Sequence, residues 1–145
     1  MPCPLPWRLD PAAYPHRQAV QTRFQDMDVL GHINNVAFAA LFETGRVKFN
    51  DAIGVMAMIR NRRSVVARVE INYLAEGQYP ADVEIRTGIG EVGGRSWDIL
   101  AAMFQGGQCI ATCDVTIVMA KGPDGEGLPA AFRDALAGWR VVAPV

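Results

Sequence analysis

A helical pattern of apolar residues in the first third of the chain gives way to strand-like alternation downstream. Apolar residues and one glycine recur at spacings of three and four, at Phe38, Leu41, Phe42, Gly45, Phe49 and Ile53. This spacing predicts one long helix that buries a single face. Asn34 or Asn35 is expected to cap its start, because an asparagine side chain accepts a hydrogen bond from an amide of the first turn. Gly54 is expected to end it.

Downstream of this helix the period is two, which is typical of strands with one apolar face. We predict four strands, at residues 65–73, 83–89, 97–104 and 109–119. Glycine-bearing turns follow the second and third strands, so the four are predicted to form an antiparallel meander. The apolar face of the first strand is expected to carry Val65, Ala67, Val69, Ile71 and Tyr73.

Shorter elements are predicted at the two ends of the chain. Alternation over residues 20–25 predicts a first short strand. The proline-rich segment before it, residues 1–17, is expected to be an extended lead-in laid across the surface. Residues 130–139 are predicted to form a final helix with their large apolar side chains on one side.

The whole pattern predicts an α+β fold in which an antiparallel sheet wraps around one long central helix. A lone amphipathic helix needs an apolar sheet face against which to bury its own. Half of the residues are hydrophobic, which is enough for one core, and the length suits a single domain over residues 1–145. Residues 122–145 are expected to be its C-terminal loop and short helix.

Charge and hydropathy argue against several classes of function. The formal net charge is -1, so no overall field favours nucleic acid or an anionic membrane. No apolar run approaches the roughly 18 residues that span a bilayer. The N-terminal segment is not expected to be a secretory signal, because it lacks a basic start followed by an apolar stretch. No nucleic-acid or membrane partner is predicted.

The three cysteines, Cys3, Cys109 and Cys113, favour a cytoplasmic protein. Cys109 and Cys113 lie four residues apart in one predicted strand, so about 13 Å separates their Cα atoms. A disulfide requires Cα atoms within about 7 Å. These two therefore cannot pair with each other, and an odd count without a workable pair suits a reducing compartment. Both are expected to be small buried hydrophobes.

Polar residues that can carry chemistry cluster in the loop before the long helix. Asp26 and Asp28 are followed by Gly31, His32 and Asn34. The unpaired amides of a helix start carry partial positive charge, and a carboxylate a few residues upstream can act as a nucleophile or as a base on water. Together these groups suit acyl transfer, because amide donors can stabilise an oxyanion beside the attacking group.

Two other interpretations of this loop stay open at this point. The same residue types occur in any loop that caps a helix. His32 could also bind a metal with Asp26 and Asp28, but no further histidine or cysteine stands at ligand spacing. No metal site is therefore predicted. The chain has neither a G-x-S-x-G elbow nor a phosphate-binding G-x-x-x-x-G-K-[ST] run, and no cofactor is predicted.

One segment resembles the signature of a known family. Residues 23–46 read RFQDMDVLGHINNVAFAALFETGR, which is similar to the R-[FWY]-x-D-x-D-x-x-G-H-[VIL]-N-N motif, and the helix after it, of 4-hydroxybenzoyl-CoA thioesterase-like hotdog proteins. Residues 73–97, YLAEGQYPADVEIRTGIGEVGGRSW, resemble the middle strands of that family. The resemblance covers nearly the whole chain apart from the lead-in and the tail. It implies the hotdog fold, a sheet wrapped around a central helix.

The resemblance implies an acyl-CoA thioesterase that hydrolyses a thioester to a free acid and CoA. The family's catalytic aspartate, the second of the D-x-D pair, falls on Asp28, and its oxyanion donor, a backbone amide at the helix start, falls at about Asn35. Asp28 could activate water as a general base or attack the carbonyl directly; the sequence leaves both open. Some hotdog enzymes use a helix glutamate, for which Glu43 is the candidate, although Arg46 three residues later favours a structural ion pair.

The resemblance also implies substrate contacts beyond the reacting groups. Gly31, His32 and Asn34 are expected to shape the loop or to meet the acyl group, and the turn at Arg95 and Ser96 is expected near the nucleotide of CoA. Arginine is suited to this role because its guanidinium matches phosphate oxygens. A second basic cluster could do the same or could be a solvated loop; it comprises Arg60, Arg62 and Arg63.

The assembly implied is a homodimer whose sheets join edge to edge, or a homotetramer of two such dimers, with active sites at the subunit interface. Two other functions stay open. One is a hotdog domain that binds an acyl-CoA or an acyl-carrier protein without turnover, and the other is an enoyl-thioester hydratase that uses His32. The acyl group is not predicted, because it depends on the packing of particular apolar residues. These are Phe38, Phe42, Met56 and Met58.

Overall fold

The computed structural model describes residues 4–143, so the predictions for Cys3 lie outside the described residues. Its helices and strands follow the α+β order expected. They are β1 (His16–Val20), α1 (Asn35–Ile53), β2 (Ser64–Tyr73), β3 (Val83–Val92), β4 (Ser96–Gln105), β5 (Gln108–Met119) and α2 (Ala130–Ala137).

The five strands form one antiparallel sheet in the order β1-β3-β4-β5-β2. The predicted meander is confirmed for β3, β4 and β5 but is wrong for β2, which pairs with β5 instead of β3. A tight turn at Gly106 and Gly107, both with positive φ, makes β4 and β5 neighbours. The connection 74–82 is long enough to cross the end of the sheet, and it leaves β2 at the edge opposite β1.

β2 also contains a bulge that no sequence pattern marked. Its pairing with β5 shifts by one residue between Val66 and Arg68, so Ala67 is an extra residue. A one-residue shift inverts the alternation of side chains across the bulge. Val65 therefore lies on the opposite face from Val69, and the predicted apolar face is wrong at Val65 and Ala67. The side chains of β2 that share the face of the buried β5 residues are those of Val66, Val69, Ile71 and Tyr73.

The N-terminal segment departs from the prediction in two ways. The first strand is His16–Val20, not residues 20–25. Residues 16–20 pair with β3, and Phe24–Asp26 form a 3-10 turn instead of continuing the strand. The described part of the 1–17 lead-in is not simply extended, since Pro6–Leu9 and Pro11–Ala13 are 3-10 turns. Each begins with a proline, whose fixed φ suits the first position of a helical turn.

Helix α1 buries the face that its spacing predicts. Its buried residues are Ala37, Phe38, Leu41, Phe42, Gly45 and Phe49. The helix and β3 approach so closely that a Cβ at position 45 would lie 2.6 Å from Cγ2 of Ile85. Asn34 caps the start of the helix and Gly54 ends it in a left-handed conformation, both as predicted.

The opposite face of the sheet is partly covered by the N-terminal segment. Arg8 is buried there, and its guanidinium donates to Asp114 Oδ1 at 2.7 Å and to Tyr14 Oη at 2.8 Å. Burial opposes the charge of Arg8, but the hydrogen bond to Asp114 and the nearby Tyr14 outweigh it, so the pKa of Arg8 is raised. Burial raises the pKa of Tyr14 to about 12.

The remaining predictions concern the C-terminal helix and the thiols. The predicted helix is confirmed as α2, whose Phe132 packs edge-on against Trp97 with ring centroids 4.9 Å apart. Cys113 is buried as expected, Cys109 is half-buried, and both are free thiols. Within residues 4–143, no helix is both long enough and apolar enough to cross a membrane.

Candidate active site

The candidate site is built on the loop that joins β1 to α1. A bridge between Met27 and Ile33 closes this loop. At its tip, the Asp28 amide donates to the His32 carbonyl at 2.8 Å, and the Gly31 amide donates to the Asp28 carbonyl at 3.2 Å. Gly31 has a φ of 84°, which other residues rarely adopt. The glycine therefore lets the chain turn back towards the helix.

The carboxylate of Asp28 is oriented by amides of its own loop. Its Oδ1 accepts hydrogen bonds from the backbone amides of Leu30 at 2.9 Å and His32 at 3.2 Å. The residue is exposed, and within residues 4–143 no donor binds Oδ2. One oxygen is held in place, and the other is available to a ligand.

Asp26, the first aspartate of the pair, is in a different environment. It is buried, and Arg23 donates its side-chain Nη2 to Oδ1 at 2.8 Å and its backbone amide to Oδ2 at 2.9 Å. Burial alone would raise the pKa of Asp26, but the hydrogen bonds and charge of Arg23 outweigh it and lower the pKa below its ordinary value. Asp26 is therefore a charged anchor of the loop.

Asn34 connects this loop to the helix. Its backbone amide and its Nδ2 both donate to the Asp26 carbonyl at 2.9 Å, while its Oδ1 accepts from the Ala37 amide at 2.8 Å. These hydrogen bonds hold the loop against the first turn of the helix. The amides of Asn35 and Val36 begin the helix and have no carbonyl one turn earlier to bind.

Two residues outside the motif also contact the loop, and no sequence pattern singled out either. Glu76 lies in the β2–β3 connection, and its Oε2 is 3.0 Å from Nε2 of His32. Tyr73, the last residue of β2, donates its hydroxyl to the Asn35 carbonyl at 3.4 Å and packs edge-on against Phe38. These contacts depend on which strand lies beside the helix start, and a linear pattern does not report that.

The structure offers no support for the metal alternative. The Asp26 carboxylate is occupied by Arg23, and Nε2 of His32 by Glu76. Across residues 4–143, no three or more histidine, cysteine, aspartate or glutamate side chains are grouped as they would be to hold a metal ion.

Arg95 and Ser96 lie at the other end of the sheet from Asp28. The Asp28 loop follows β1, whose last residue Val20 pairs with Val83 at the start of β3. Arg95 instead follows the end of β3, and a strand of this length spans about 30 Å. One protomer does not bring these residues together with Asp28.

The other candidate side chains have local structural contacts. Arg62 binds the loop before α2 by donating to the carbonyls of Ala120, Glu126 and Gly127. The predicted pair on α1 is present, with Arg46 Nη2 3.7 Å from Glu43 Oε2.

Large apolar side chains are exposed around the helix start. Val29 is fully exposed, Leu30 and Val36 are about three-quarters exposed, and Tyr73 is half-exposed. Exposed apolar patches of this kind mark sites where a ligand or another protein surface binds.

The fold and the loop together define a class of protein. A five-stranded antiparallel sheet packed on one long helix, with this polar loop at the start of that helix, is the hotdog fold. The chain belongs to the thioesterase-like superfamily, whose family model matches residues 22–139.

Individual proteins are similar to this chain over most of its length. The uncharacterized protein YsmA of Bacillus subtilis (strain 168) is 26% identical over 104 residues, which are 70% of this chain and 71% of YsmA. A thioesterase from Thermus thermophilus, complexed with coenzyme A and Zn, is 27% identical with a TM-score of 0.75, covering 87% of this chain and 94% of that one. A "predicted thioesterase" from Bacillus stearothermophilus is also 27% identical with a TM-score of 0.75, covering 89% and 98%.

Proposed function

We propose that this protein is an acyl-CoA thioesterase and that Asp28 is its reacting carboxylate. The observation that carries the proposal is the state of this side chain, with one oxygen held by two amides and the other available beside the start of α1. Membership of the thioesterase-like superfamily supports thioester hydrolysis. Similarity to a thioesterase complexed with coenzyme A supports CoA as the thiol portion.

In this mechanism the Asn35 amide donates to the carbonyl oxygen of the thioester. The positive end of the α1 dipole stabilises the charge that develops there. Oδ2 of Asp28 then either takes a proton from an attacking water or attacks the carbonyl carbon itself. In the first route the water oxygen bonds to the carbonyl carbon, the C–S bond breaks, and CoA leaves as the thiolate, which gives the free acid. In the second route Asp28 forms a mixed anhydride with the acyl group as the C–S bond breaks and CoA leaves, and water then cleaves the anhydride to give the free acid and restore Asp28. Gly31, His32 and Asn34 keep the loop in the conformation that this geometry needs.

We also propose that the catalytic unit is a homodimer joined through the edge of β2. Val65, Val66 and Val69 on this edge strand are each about half-exposed. An edge with unpaired backbone groups and apolar side chains is suited to pair with the same edge of a second copy about a two-fold axis. Such pairing is antiparallel, so it moves the partner's Arg95 towards the Asp28 end of this protomer. The free thiols of Cys109 and Cys113 suit a reducing, cytoplasmic setting.

Thiol release from short, long and aromatic acyl-CoAs tests the proposal. Asp28→Asn keeps the size of the side chain and removes the base, so we expect turnover to fall about a hundredfold or more. Asp10→Asn is the matched control, because Asp10 is an exposed aspartate that also accepts a hydrogen bond from an amide two residues later, at 2.9 Å.

Each alternative has its own outcome in the same assay. Full turnover by Asp28→Asn would overturn the role of Asp28 and direct attention to Glu43. Binding of acyl-CoA without thiol release from the wild type would identify a binding module. A hydroxyacyl thioester formed from an enoyl-CoA would identify a hydratase.

A further inference from the structure

The connection between β2 and β3, residues 74–82, lies against the loop that carries Asp28, although the two segments are far apart in the sequence. The Ile33 amide donates to the Gly77 carbonyl at 2.9 Å. Gly77 is buried, and a Cβ at this position would lie 2.8 Å from Cδ1 of Ile33. Because Gly77 has no side chain, the backbone of the connection can contact the end of the loop directly.

The connection is itself held in place on both sides of this contact. On one side, the Leu74 amide donates to the Ile110 carbonyl at 2.9 Å. On the other side, the Gln78 amide donates to Gln105 Oε1 at 2.8 Å, and Gln105 Nε2 donates to the Gln78 carbonyl at 2.7 Å. Glu76 lies between these two anchors, so the position of its backbone is fixed by β4 and β5.

Glu76 contacts the loop at the residue that orients Asp28. Its Oε2 is 3.0 Å from Nε2 of the His32 ring. The His32 amide donates to Oδ1 of Asp28 at 3.2 Å, and the His32 carbonyl accepts the Asp28 amide at 2.8 Å. His32 therefore binds Asp28 through its backbone and Glu76 through its ring. A carboxylate bound to one ring nitrogen fixes the orientation of the imidazole.

The exposure of Glu76 argues against a mainly structural role for this contact. Its side chain is 65% exposed, and exposed ion pairs add little to the stability of a fold. The contact nevertheless lies next to a carboxylate that is proposed to react. Small displacements of a reacting group lower turnover even when the fold is unchanged, so residues that support such a group can affect catalysis more than stability.

We propose that Glu76 is a positioning residue of the active site. By binding the His32 ring, Glu76 holds the segment whose amides fix Oδ1 of Asp28, and it thereby keeps Oδ2 directed at the reacting carbonyl or water. Glu76 touches neither the substrate nor the reacting atoms. This inference rests on the proposed thioesterase function, and it extends the site to a connection outside the motif at residues 23–46.

Substitution of Glu76 tests this role by separating turnover from substrate binding and from stability. Glu76→Ala should lower kcat about fivefold, which is the scale of an exposed charged pair. KM should change little, because Glu76 does not contact the acyl-CoA, and the midpoint of urea unfolding should stay at the wild-type value. Glu76→Gln keeps an oxygen that can accept a hydrogen bond from His32, so kcat should return to within about twofold of wild type.

A double-mutant cycle shows whether Glu76 acts through His32. If it does, adding Glu76→Ala to His32→Ala should cause no further fall in kcat. Glu91→Ala is the matched control, because Glu91 is an exposed glutamate near the end of β3 that is remote from Asp28. An unchanged kcat in Glu76→Ala, no recovery in Glu76→Gln, or additive effects of the two alanine substitutions would each overturn the proposal.

A measurement without turnover separates failure of this inference from failure of the proposed function. The amides of Leu30 and His32 donate to Oδ1 of Asp28. Their resonances in the amide NMR spectrum should shift in Glu76→Ala and return towards their wild-type positions in Glu76→Gln. Resonances that do not shift would overturn the positioning role. A wild type that releases no thiol, or an Asp28→Asn protein that keeps full turnover, would instead show that the proposed function has failed.

Discussion

Asn34 donates two hydrogen bonds to the carbonyl oxygen of Asp26, one from its backbone amide and one from Nδ2, each at 2.9 Å. The same side chain accepts the amide of Ala37 and so caps α1. One residue therefore links the loop that carries Asp28 to the first turn of the helix. The position of the carboxylate and the position of the helix amides are set together.

Replacing Asn34 should harm both stability and catalysis. Asn34→Ala removes the cap and one bond to Asp26, so we expect the free energy of unfolding to fall by about 1–2 kcal/mol. Asn34→Asp restores a capping oxygen without the Nδ2 donor, and it should recover stability better than activity. Urea unfolding and kcat/KM measure the two effects. Thr44→Ala, an exposed change within α1, is the control, and an Asn34→Ala protein as stable and active as wild type would contradict the link.

Gly45→Ala should destabilise the protein although alanine favours helices. The added Cβ would lie 2.6 Å from Cγ2 and 2.9 Å from Cβ of Ile85, so α1 would have to move away from β3. Overpacking of this kind costs about 1–3 kcal/mol, which thermal or urea unfolding detects. Gly94→Ala is the control, because a Cβ there meets nothing within 4 Å. A Gly45→Ala protein more stable than wild type would show that the helix and the sheet are not in close contact here.

The parts of the fold that could be predicted from the sequence are those fixed by local spacing. The face of α1, its cap at Asn34 and its end at Gly54 depend on residues within a few positions of one another. The same holds for the four downstream strands, whose alternation is continuous over most of their lengths.

The parts that could not be predicted depend on contacts between distant segments. Nothing local places β2 beside β5, since the connection 74–82 allows either neighbour. The bulge at Ala67 is visible only against the partner strand. Burial of Arg8 requires Asp114, more than a hundred residues away, and the contact of Tyr73 with Asn35 follows from the strand order. In the candidate site, the motif could indicate Asp28 but not its neighbours across the sheet.

His16 should make the protein sensitive to acid. Its ring packs edge-on against Phe49, and within residues 4–143 its buried Nδ1 has no hydrogen-bond partner. Burial lowers the pKa of His16 below its ordinary value. As pH falls, His16 therefore takes up a proton in the unfolded chain before it does so in the folded one. The contribution of neutral His16 to the free energy of unfolding is complete above about pH 6.5, and it is lost as pH falls towards the lower pKa of the folded state.

His16→Phe removes the titrating group and preserves the aromatic contact. We expect the variant to lose less stability than wild type between about pH 7.5 and about pH 5, measured by urea unfolding. Equal losses in the two proteins would show that His16 does not contribute to the acid sensitivity.

Arg8→Met should destabilise the protein by leaving Asp114 without its partner. The two side chains are 2.7 Å apart, and Arg8 is buried. Loss of one member of a buried pair costs about 3–5 kcal/mol, and the partial exposure of Asp114 reduces this to about 2–3 kcal/mol. Arg17→Met, at an exposed position on β1, should change little. Arg8→Met combined with Asp114→Leu should recover part of the loss, because no charge is then left unpaired; no recovery would contradict the pairing.

Val69→Lys should separate the proposed dimer and abolish the proposed thioesterase activity without unfolding the protomer. Val69 lies near the middle of β2 and is 52% exposed in the protomer, so a lysine there can reach solvent and should cost the protomer little. In the dimer, the two lysines would lie close to the two-fold axis, and like charges facing each other across paired strands oppose association. If the active sites lie at the subunit interface of the proposed dimer, kcat/KM should fall together with the dimer fraction. Light scattering and thiol release over a range of protein concentrations measure both, and Val142→Lys is the exposed control.

A Val69→Lys protein that stays dimeric would show that the subunits associate through another surface, and a fully active monomer would show that one protomer forms a complete site.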